Sequence, residues 1–433
     1  MVSALSFARR TRRSSPRGRV LIIVQNLPVP FDRRVWLECQ ALTDAGYEVH
    51  VVCPKGPGDP THERVDGVML HKYRQSPPGS GLVGYVVEYS HSFLMTTWLT
   101  ARAFRHQRFD VIQTCNPPDI FWALGLLFGS LTGSRFVYDQ HDLCPELYAS
   151  RFPDGSRVAA RALRLLERLN YRTADHVIAT NNSYRNVAIS RGGKSPTQVS
   201  VVRTGPDAER LRRQSPDPLR KRGRRYLVAY LGVMGPQDGV DHVVRAAHEI
   251  VFRLGRDDIS FTLVGSGDCF DDLVALRDTL GLQDYVEFTG RVPDDVVARV
   301  LSTADVGLSP DPLNPLNDVS TMNKTLEYMA FELPVVAYDL RETRVSAGPA
   351  AVYAEPNLVE SYAQAIVDLL DDEPRRRWMG SLGRQQIEQE LAWSHQRGGY
   401  VAVYDRLLGL IDANAAAAPT GSEAAGSSDA VEG

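Results

Sequence analysis

Residues 318–338 read DVSTMNKTLEYMAFELPVVAY and predict a loop, a helix, a turn and a buried strand. We expect Ser320 to cap the helix, because its hydroxyl can accept a bond from a free amide of the first turn. Pro334 ends the helix before the strand. Apolar side chains recur at helical spacing and predict a face that packs on a core: Met322, Leu326, Met329 and Leu333.

Polar groups gather on another side of this helix, near its positive end. Asn323, Lys324 and Glu327 stand at i, i+1 and i+4. Free amides beside a lysine are a natural phosphate site, and a carboxylate one turn further could bind the two hydroxyls of a ribose. The same pattern suits a surface helix with an ordinary Lys–Glu pair. Taken alone, the stretch leaves both interpretations open.

Length and composition bound the class of protein. The chain has 433 residues, enough for two domains, and its net charge of -3 gives no sign of a nucleic-acid partner. Its five cysteines form no C-x-x-C pair, which favours a reducing compartment and argues against structural zinc. The most apolar stretch, 120–131, is shorter than the ~20 residues that span a bilayer. We therefore expect a cytoplasmic protein, with peripheral attachment to the inner face of the membrane left open.

Strand and helix patterns alternate along most of the chain, which predicts parallel sheets. The fold class expected is α/β, with two tandem Rossmann-like, doubly wound domains, a central cleft and a C-terminal helical run that packs across both. The predicted order is a disordered basic arm (1–18), an N-terminal Rossmann-like domain (19–203), a basic linker (204–225), a C-terminal Rossmann-like domain (226–392), a crossing helix (393–412) and a disordered tail (413–433).

Two glycine-rich loops follow strands of the second domain. One runs from Gly232 through Gly235 to Gly239, and the other carries Gly265, Gly267 and Asp268. Glycine lets a backbone approach a diphosphate closely. Each loop alone is weak evidence. Since both lie at the same sheet edge as Lys324 and Glu327, together they favour a nucleotide site.

A histidine follows a strand of the first domain, in the predicted loop QHDLCPELYASRF (140–152). His141 and Asp142 at a strand end suit the positioning or deprotonation of a hydroxyl nucleophile, although a lone histidine is as often only a hydrogen-bonding residue. The acceptor-side candidates lie on the loops of the same sheet edge: Asn26, Arg33, Arg34, Asn116, Asp119 and Glu146.

From about residue 19 to 410 the chain resembles the GT-B glycosyltransferases, specifically the retaining nucleotide-sugar transferases of family 4. The order and spacing of several stretches carry the resemblance: GYEVHVV, VYDQHDL, VVRTGPD, YLGVMGPQDGVDHVVRAA, FTLVGSGD, VEFTGRV, ADVGLSP and NKTLEYMAFELPVVA. It implies transfer of a sugar from a nucleotide-diphosphate donor with retention of configuration. It also implies no metal and no cofactor, since helix-end amides and basic side chains neutralise the leaving diphosphate.

The resemblance implies roles for particular residues. Glu327 matches the carboxylate that binds the ribose, Gly265 and Gly267 match the loop near the nucleotide, and His141 matches the histidine near the transferred sugar. The full set of expected donor contacts is Gly235, Gly239, Gly265, Gly267, Asp268, Ser320, Thr321, Asn323, Lys324 and Glu327.

The chain departs from the commonest family pattern at three positions. Val233 and Asp238 stand where many members carry an arginine and a lysine, and Val319 stands where many carry a glutamate. We expect Lys324 to supply the missing positive charge. Asp318, beside Val319, is the expected replacement carboxylate and the third catalytic candidate after His141 and Asp142.

Three functions remain open from the sequence. The leading one is a glycosyltransferase that acts on a glycan or a lipid-linked acceptor, with an anionic membrane surface as a further partner suggested by the basic arm and linker. A nucleotide-sugar epimerase of the same fold is the second. A nucleotide-sugar-binding subunit without activity is the third, because the missing charged positions could mark lost catalysis.

Overall fold

The computed structural model describes residues 15–76 and 81–412. Most of the expected basic arm and the expected tail at 413–433 lie outside these ranges. The chain divides into two compact units. The first comprises the residues up to 114 together with 123–136, and the second comprises 115–122 and 137–433.

The first sheet has eight strands in the order β3-β4-β2-β1-β5-β6-β7-β8. The strands are β1 (Arg19–Ile23), β2 (Glu48–Pro54), β3 (His62–Val65), β4 (Val68–Tyr73), β5 (Val111–Cys115), β6 (Arg135–Gln140), β7 (His176–Ala179) and β8 (Val199–Val201). The helices along this part of the chain are α1 (Arg33–Asp44), α2 (Gly81–His106), α3 (Trp122–Thr132), α4 (Cys144–Arg151), α5 (Arg157–Thr173) and α6 (Asn182–Ser190).

The second sheet has six parallel strands in the order β11-β10-β9-β12-β13-β14. The strands are β9 (Tyr226–Leu231), β10 (Ile259–Val264), β11 (Val286–Gly290), β12 (Val306–Ser309), β13 (Val335–Tyr338) and β14 (Ala351–Ala354). Its helices are α7 (Val240–His248), α8 (Phe270–Thr279), α9 (Asp294–Thr303), α10 (Asn323–Ala330), α11 (Arg341–Ala347), α12 (Val359–Asp371), α13 (Glu373–Gln386) and α14 (Trp393–Leu407). Strand β13 is buried along its whole length, as a parallel strand covered on both faces must be.

The two predominantly parallel sheets confirm the predicted fold class. The C-terminal helical run also returns to the first sheet, since Arg406 of α14 donates a hydrogen bond to Ser200 of β8. The predicted linker has no strand among its described residues and forms one short 3-10 turn, Pro218–Lys221. Among the described helices, none is both long enough and apolar enough to cross a bilayer.

Three elements differ from the prediction. The stretch predicted as a loop at 140–152 contains α4, which begins with a proline in its first turn, where the missing amide costs nothing. A helix of eight residues is too short for hydrophobic periodicity to reveal. The prediction also missed the antiparallel edge strand β3 and the seven-residue helix α11.

Candidate active site

Helix α10 begins at Asn323, and its N-cap is Met322, which offers no side-chain cap. The prediction that Ser320 caps the helix is therefore wrong. The Ser320 hydroxyl instead donates to the carbonyl of Leu316 and lies 2.8 Å from the Tyr184 hydroxyl, while Thr321 accepts a bond from Asn181. The amides at the start of α10 receive no side-chain oxygen from its own cap, and such a helix end favours an anion.

Tyr328 fixes α10 against the carboxyl ends of two neighbouring strands. Its hydroxyl donates to the carbonyl of Leu308 in β12 at 3.0 Å and accepts from the amide of Leu231 in β9 at 2.8 Å. Ligands bind at this edge of open parallel sheets. The predicted donor residues of the opening stretch therefore lie at the edge where a nucleotide would bind, with Glu327 half-buried and Asn323 exposed.

Lys324 lies between two carboxylates. Its Nζ is 2.6 Å from Oδ1 of the buried Asp311 and 4.0 Å from Oδ1 of Asp238, and it lies 5.1 Å from the centre of the Tyr230 ring. Asp311 accepts a further bond from the Ser309 hydroxyl. The charge of Lys324 is thus already shared by two acids, one of which occupies the position where many family members carry a lysine.

These carboxylates set the charge state of the cluster. Burial works to lower the pKa of Lys324, but attraction to Asp311 and Asp238 outweighs it and raises this pKa above its ordinary value. Burial also raises the pKa of Asp238 to about 6, against the opposing attraction of Lys324. Lys324 therefore stays charged, whereas Asp238 changes its charge close to neutral pH.

Gly265 and Gly267 are required by the close contact between the two glycine loops. Gly265 has a φ of +135°, and a Cβ there would lie 1.8 Å from the carbonyl oxygen of Gly232. A Cβ on Gly267 would lie 2.6 Å from the carbonyl oxygen of Met234, and the amide of Met234 donates to the carbonyl of Ser266. These glycines would be needed without any ligand, so their presence is weaker evidence for a diphosphate than the sequence suggested.

Arg151 reaches both glycine loops and was missed by the sequence analysis. This last residue of α4 donates through Nε to Oε1 of Gln237 at 3.2 Å, and its Nη1 lies 3.5 Å from Oδ2 of Asp268. The Asp268 side chain is 73% exposed, so this ion pair is weak. Val233 and Asp238 were a signal that a positive charge was missing nearby. The missing charge did not point to Arg151, because its segment was predicted to be a loop, and the position of a loop side chain cannot be read from the sequence.

His141 is held from two sides. Its Nε2 lies 2.6 Å from Oδ2 of the buried Asp139, and its backbone amide donates to Oδ1 of the buried Asn116 at 2.7 Å. Asn116 also accepts from the amide of Asp142. Burial raises the pKa of Asp142, against the attraction of His141 and Arg151. Asn116 therefore orients the backbone of two of the three catalytic candidates, and its predicted contact with an acceptor stays a prediction.

The other acceptor-side candidates differ widely in exposure. Asp119 is buried and accepts bonds from Tyr138 and Asn116, and burial raises its pKa. Glu146 pairs with Arg191. Within the first unit, Asn26 and Arg33 are exposed, whereas Arg34 is buried and pairs with Glu38.

Asp318, the expected replacement carboxylate, is engaged by the next helix. Its Oδ1 accepts the backbone amide of Arg341 at 3.0 Å, and its Oδ2 lies 3.3 Å from the guanidinium of the same residue. Asp318 therefore supports the start of α11 in the described structure, and its catalytic role stays a prediction.

Several solved structures share this fold over most of the chain. Sucrose-phosphate synthase from Thermosynechococcus elongatus aligns with a TM-score of 0.73 over 91% of this chain and 100% of that one, at 18% identity. The Anabaena HepE protein in complex with UDP-glucose aligns with a TM-score of 0.66 over 90% and 100%, at 17% identity. Two parallel-sheet α/β domains with these counterparts define the class: the protein has the GT-B fold of glycosyltransferases.

Family models identify the group within that class. A model described as "Glycosyl transferase 4-like domain" matches residues 32–205, and one described as "Glycosyl transferases group 1" matches residues 225–372. These two glycosyltransferase domains together occupy most of the chain, which is a hexosyltransferase-type glycosyltransferase. It is similar over 395 residues to the 2-deoxystreptamine glucosyltransferase of Streptomyces kanamyceticus, at 24% identity over 86% of this chain and 97% of that protein.

Proposed function

We propose that the enzyme transfers a hexosyl group from a nucleoside-diphosphate sugar to a hydroxyl of a glycan or a lipid-linked acceptor, with retention of configuration and without a metal ion. The observation that carries this proposal is the start of α10 at the carboxyl edge of the second sheet. There, amides without a side-chain cap, Lys324 and Glu327 lie within one helical turn of one another.

The donor diphosphate would lie at the N-terminus of α10. Helix-end amides favour its charge, and Glu327 would accept bonds from the ribose hydroxyls. Lys324 is shared with Asp311 and Asp238, so its main effect is to keep the site from becoming strongly negative. Arg151 supports the proposal as the second cation, because its partner Asp268 is exposed and can release it to a phosphate at little cost.

In the reaction, the bond between the anomeric carbon and the diphosphate oxygen breaks as the acceptor oxygen bonds to that carbon. The acceptor proton leaves with the departing diphosphate, whose charge the α10 amides and Arg151 would stabilise. His141 would position a hydroxyl of the sugar or acceptor. Its orientation supports this role, since the buried Asp139 fixes the ring and Asn116 fixes the backbone.

A donor screen followed by product analysis tests the proposal. Thermal unfolding with a panel of uridine, guanosine and adenosine diphosphate sugars should raise the melting temperature for one donor, because that donor binds only the folded state. Incubation with that donor and glycan or lipid-linked acceptors should yield a glycoside whose anomeric configuration, read by NMR, matches the donor, with turnover unchanged by EDTA. An epimerised donor, an inverted product or loss of turnover in EDTA would each contradict a part of the proposal.

A further inference from the structure

Five arginines form one exposed row along α5. Their spacing of four, three, four and four residues keeps them on a single face of the helix. With a rise of ~1.5 Å per residue, the row is roughly 22 Å long. We call this row the α5 arginine face: Arg157, Arg161, Arg164, Arg168 and Arg172.

The charge of the α5 arginine face is not balanced by acids of the described chain. Within residues 15–76 and 81–412, none of the five guanidinium groups has an ion pair with a carboxylate. The single acid of the helix, Glu167, is buried and pairs with Arg191 instead. Five like charges in a row repel one another and destabilise the folded state. Binding of an external anion would therefore be favourable, because it would relieve this repulsion.

Aliphatic side chains border the arginines on one side. Val158 is 73% exposed and Leu165 is 57% exposed, and both follow an arginine by one position in the helix. Phe152, in the turn before the helix, is also exposed. A basic row beside exposed aliphatic residues is the pattern of a helix that lies in the plane of a membrane interface.

We propose that the α5 arginine face binds the surface of an anionic phospholipid bilayer. The row supplies the charge that attracts acidic head groups, and Val158 and Leu165 supply the apolar contact below them. A nucleic acid would use the arginines but would leave the aliphatic side chains in water. The proposal adds a surface outside the donor site, so it does not depend on the reaction proposed above.

Vesicle flotation of the full-length protein tests this surface. The protein should float with phosphatidylcholine vesicles that contain phosphatidylglycerol and not with phosphatidylcholine alone. Binding should be lost at 1 M salt, where the Debye length is about 3 Å. The triple variant Arg161→Gln, Arg164→Gln, Arg168→Gln should bind about 100-fold more weakly, since each arginine near an anionic surface contributes about fivefold. Leu165→Ser should weaken binding by a smaller factor.

A matched control removes the same charge elsewhere. Arg253, Arg299 and Arg377 lie on other helices, and each pairs with an acid on its own helix. Their triple change to glutamine should leave vesicle binding unchanged, and both triple variants should keep donor-induced stabilisation and turnover on a water-soluble acceptor. The proposal is overturned if the α5 variant floats like the wild type, if binding needs no anionic lipid, or if the face binds a DNA duplex and ignores the vesicles.

Discussion

The cluster around Lys324 and the α5 arginine face differ in whether their positive charge is paired with carboxylates of the same chain. The Lys324 side chain is only 9% exposed and lies between Asp311 and Asp238, so its charge is balanced within the chain. The five arginines of α5 are exposed, and within residues 15–76 and 81–412 no carboxylate pairs with them. A charge that is paired inside the protein helps to fix the local structure. A row of exposed charges without paired carboxylates can instead attract an oppositely charged partner. Arg151 is an intermediate case, since it has a carboxylate partner but the ion pair is weak because that partner is exposed.

Removal of Lys324 should have the largest effect. Lys324→Met leaves Asp311 buried without its cation, so we expect the free energy of unfolding to fall by about 3–5 kcal/mol in urea titrations at pH 7.5. The surface variant Arg377→Gln should lose about 0.5 kcal/mol at most. Adding Asp311→Leu to Lys324→Met should recover part of the loss. Equal effects of Lys324→Met and the surface variant would show that the buried pair does not hold this site together.

His141 is held in place by Asp139 and Asn116, and its loss should affect turnover more than folding. His141→Ala should lower kcat about 100-fold, because a positioned imidazole contributes at least that much to moving or orienting a hydroxyl. Donor-induced thermal stabilisation should persist. Asp139→Asn should lower kcat less and shift its pH profile, since it weakens the orientation of the ring without removing it. An unchanged kcat in His141→Ala would show that His141 takes no part in the reaction.

Arg151 tests the intermediate case. Arg151→Gln should raise the KM for the donor about tenfold or more, the effect of losing a charged hydrogen bond to phosphate, with a smaller change in kcat. Arg151→Lys should recover part of it. Stabilisation by the nucleoside diphosphate should weaken in Arg151→Gln, while stabilisation by the nucleoside alone should not. Equal weakening of both would mean that Arg151 supports the loops rather than the diphosphate.

Asp238 should give the smallest effect, and one that depends on pH. Because its pKa is raised to about 6 in the folded state, Asp238 is neutral below that pH and negative above it. The folded state holds the proton more tightly, so relative to Asp238→Asn the wild type should lose stability as pH rises from about 4 through 6. Donor affinity should fall over the upper part of the same range by about fivefold, through repulsion of the diphosphate. Isothermal titration of the wild type and Asp238→Asn with donor across pH 5–8 measures the change in donor affinity. If the affinities of the two proteins change with pH in parallel, Asp238 is not the cause of the pH dependence.

The alternation of strands and helices was readable in the sequence because buried parallel strands are continuous apolar runs, and Val335–Tyr338 is one of them. Short elements such as α4 were not readable, and Arg151 was missed with it. The motif Asn-Lys-x-x-Glu placed Lys324 and Glu327 at the helix start from local spacing alone. The partners of Lys324 could not be read in this way, since Asp311 and Asp238 come from separate loops.

The sequence by itself therefore determined the two α/β domains, the glycosyltransferase class and the helix that carries Lys324 and Glu327. These follow from local periodicity and from motif order along the chain. The tertiary structure decided which charges are matched: Lys324 by Asp311 and Asp238, and the α5 arginines by no acid among the described residues. The physical reason is that ion pairing depends on distances between segments far apart in the chain, and those distances exist only once the chain has folded.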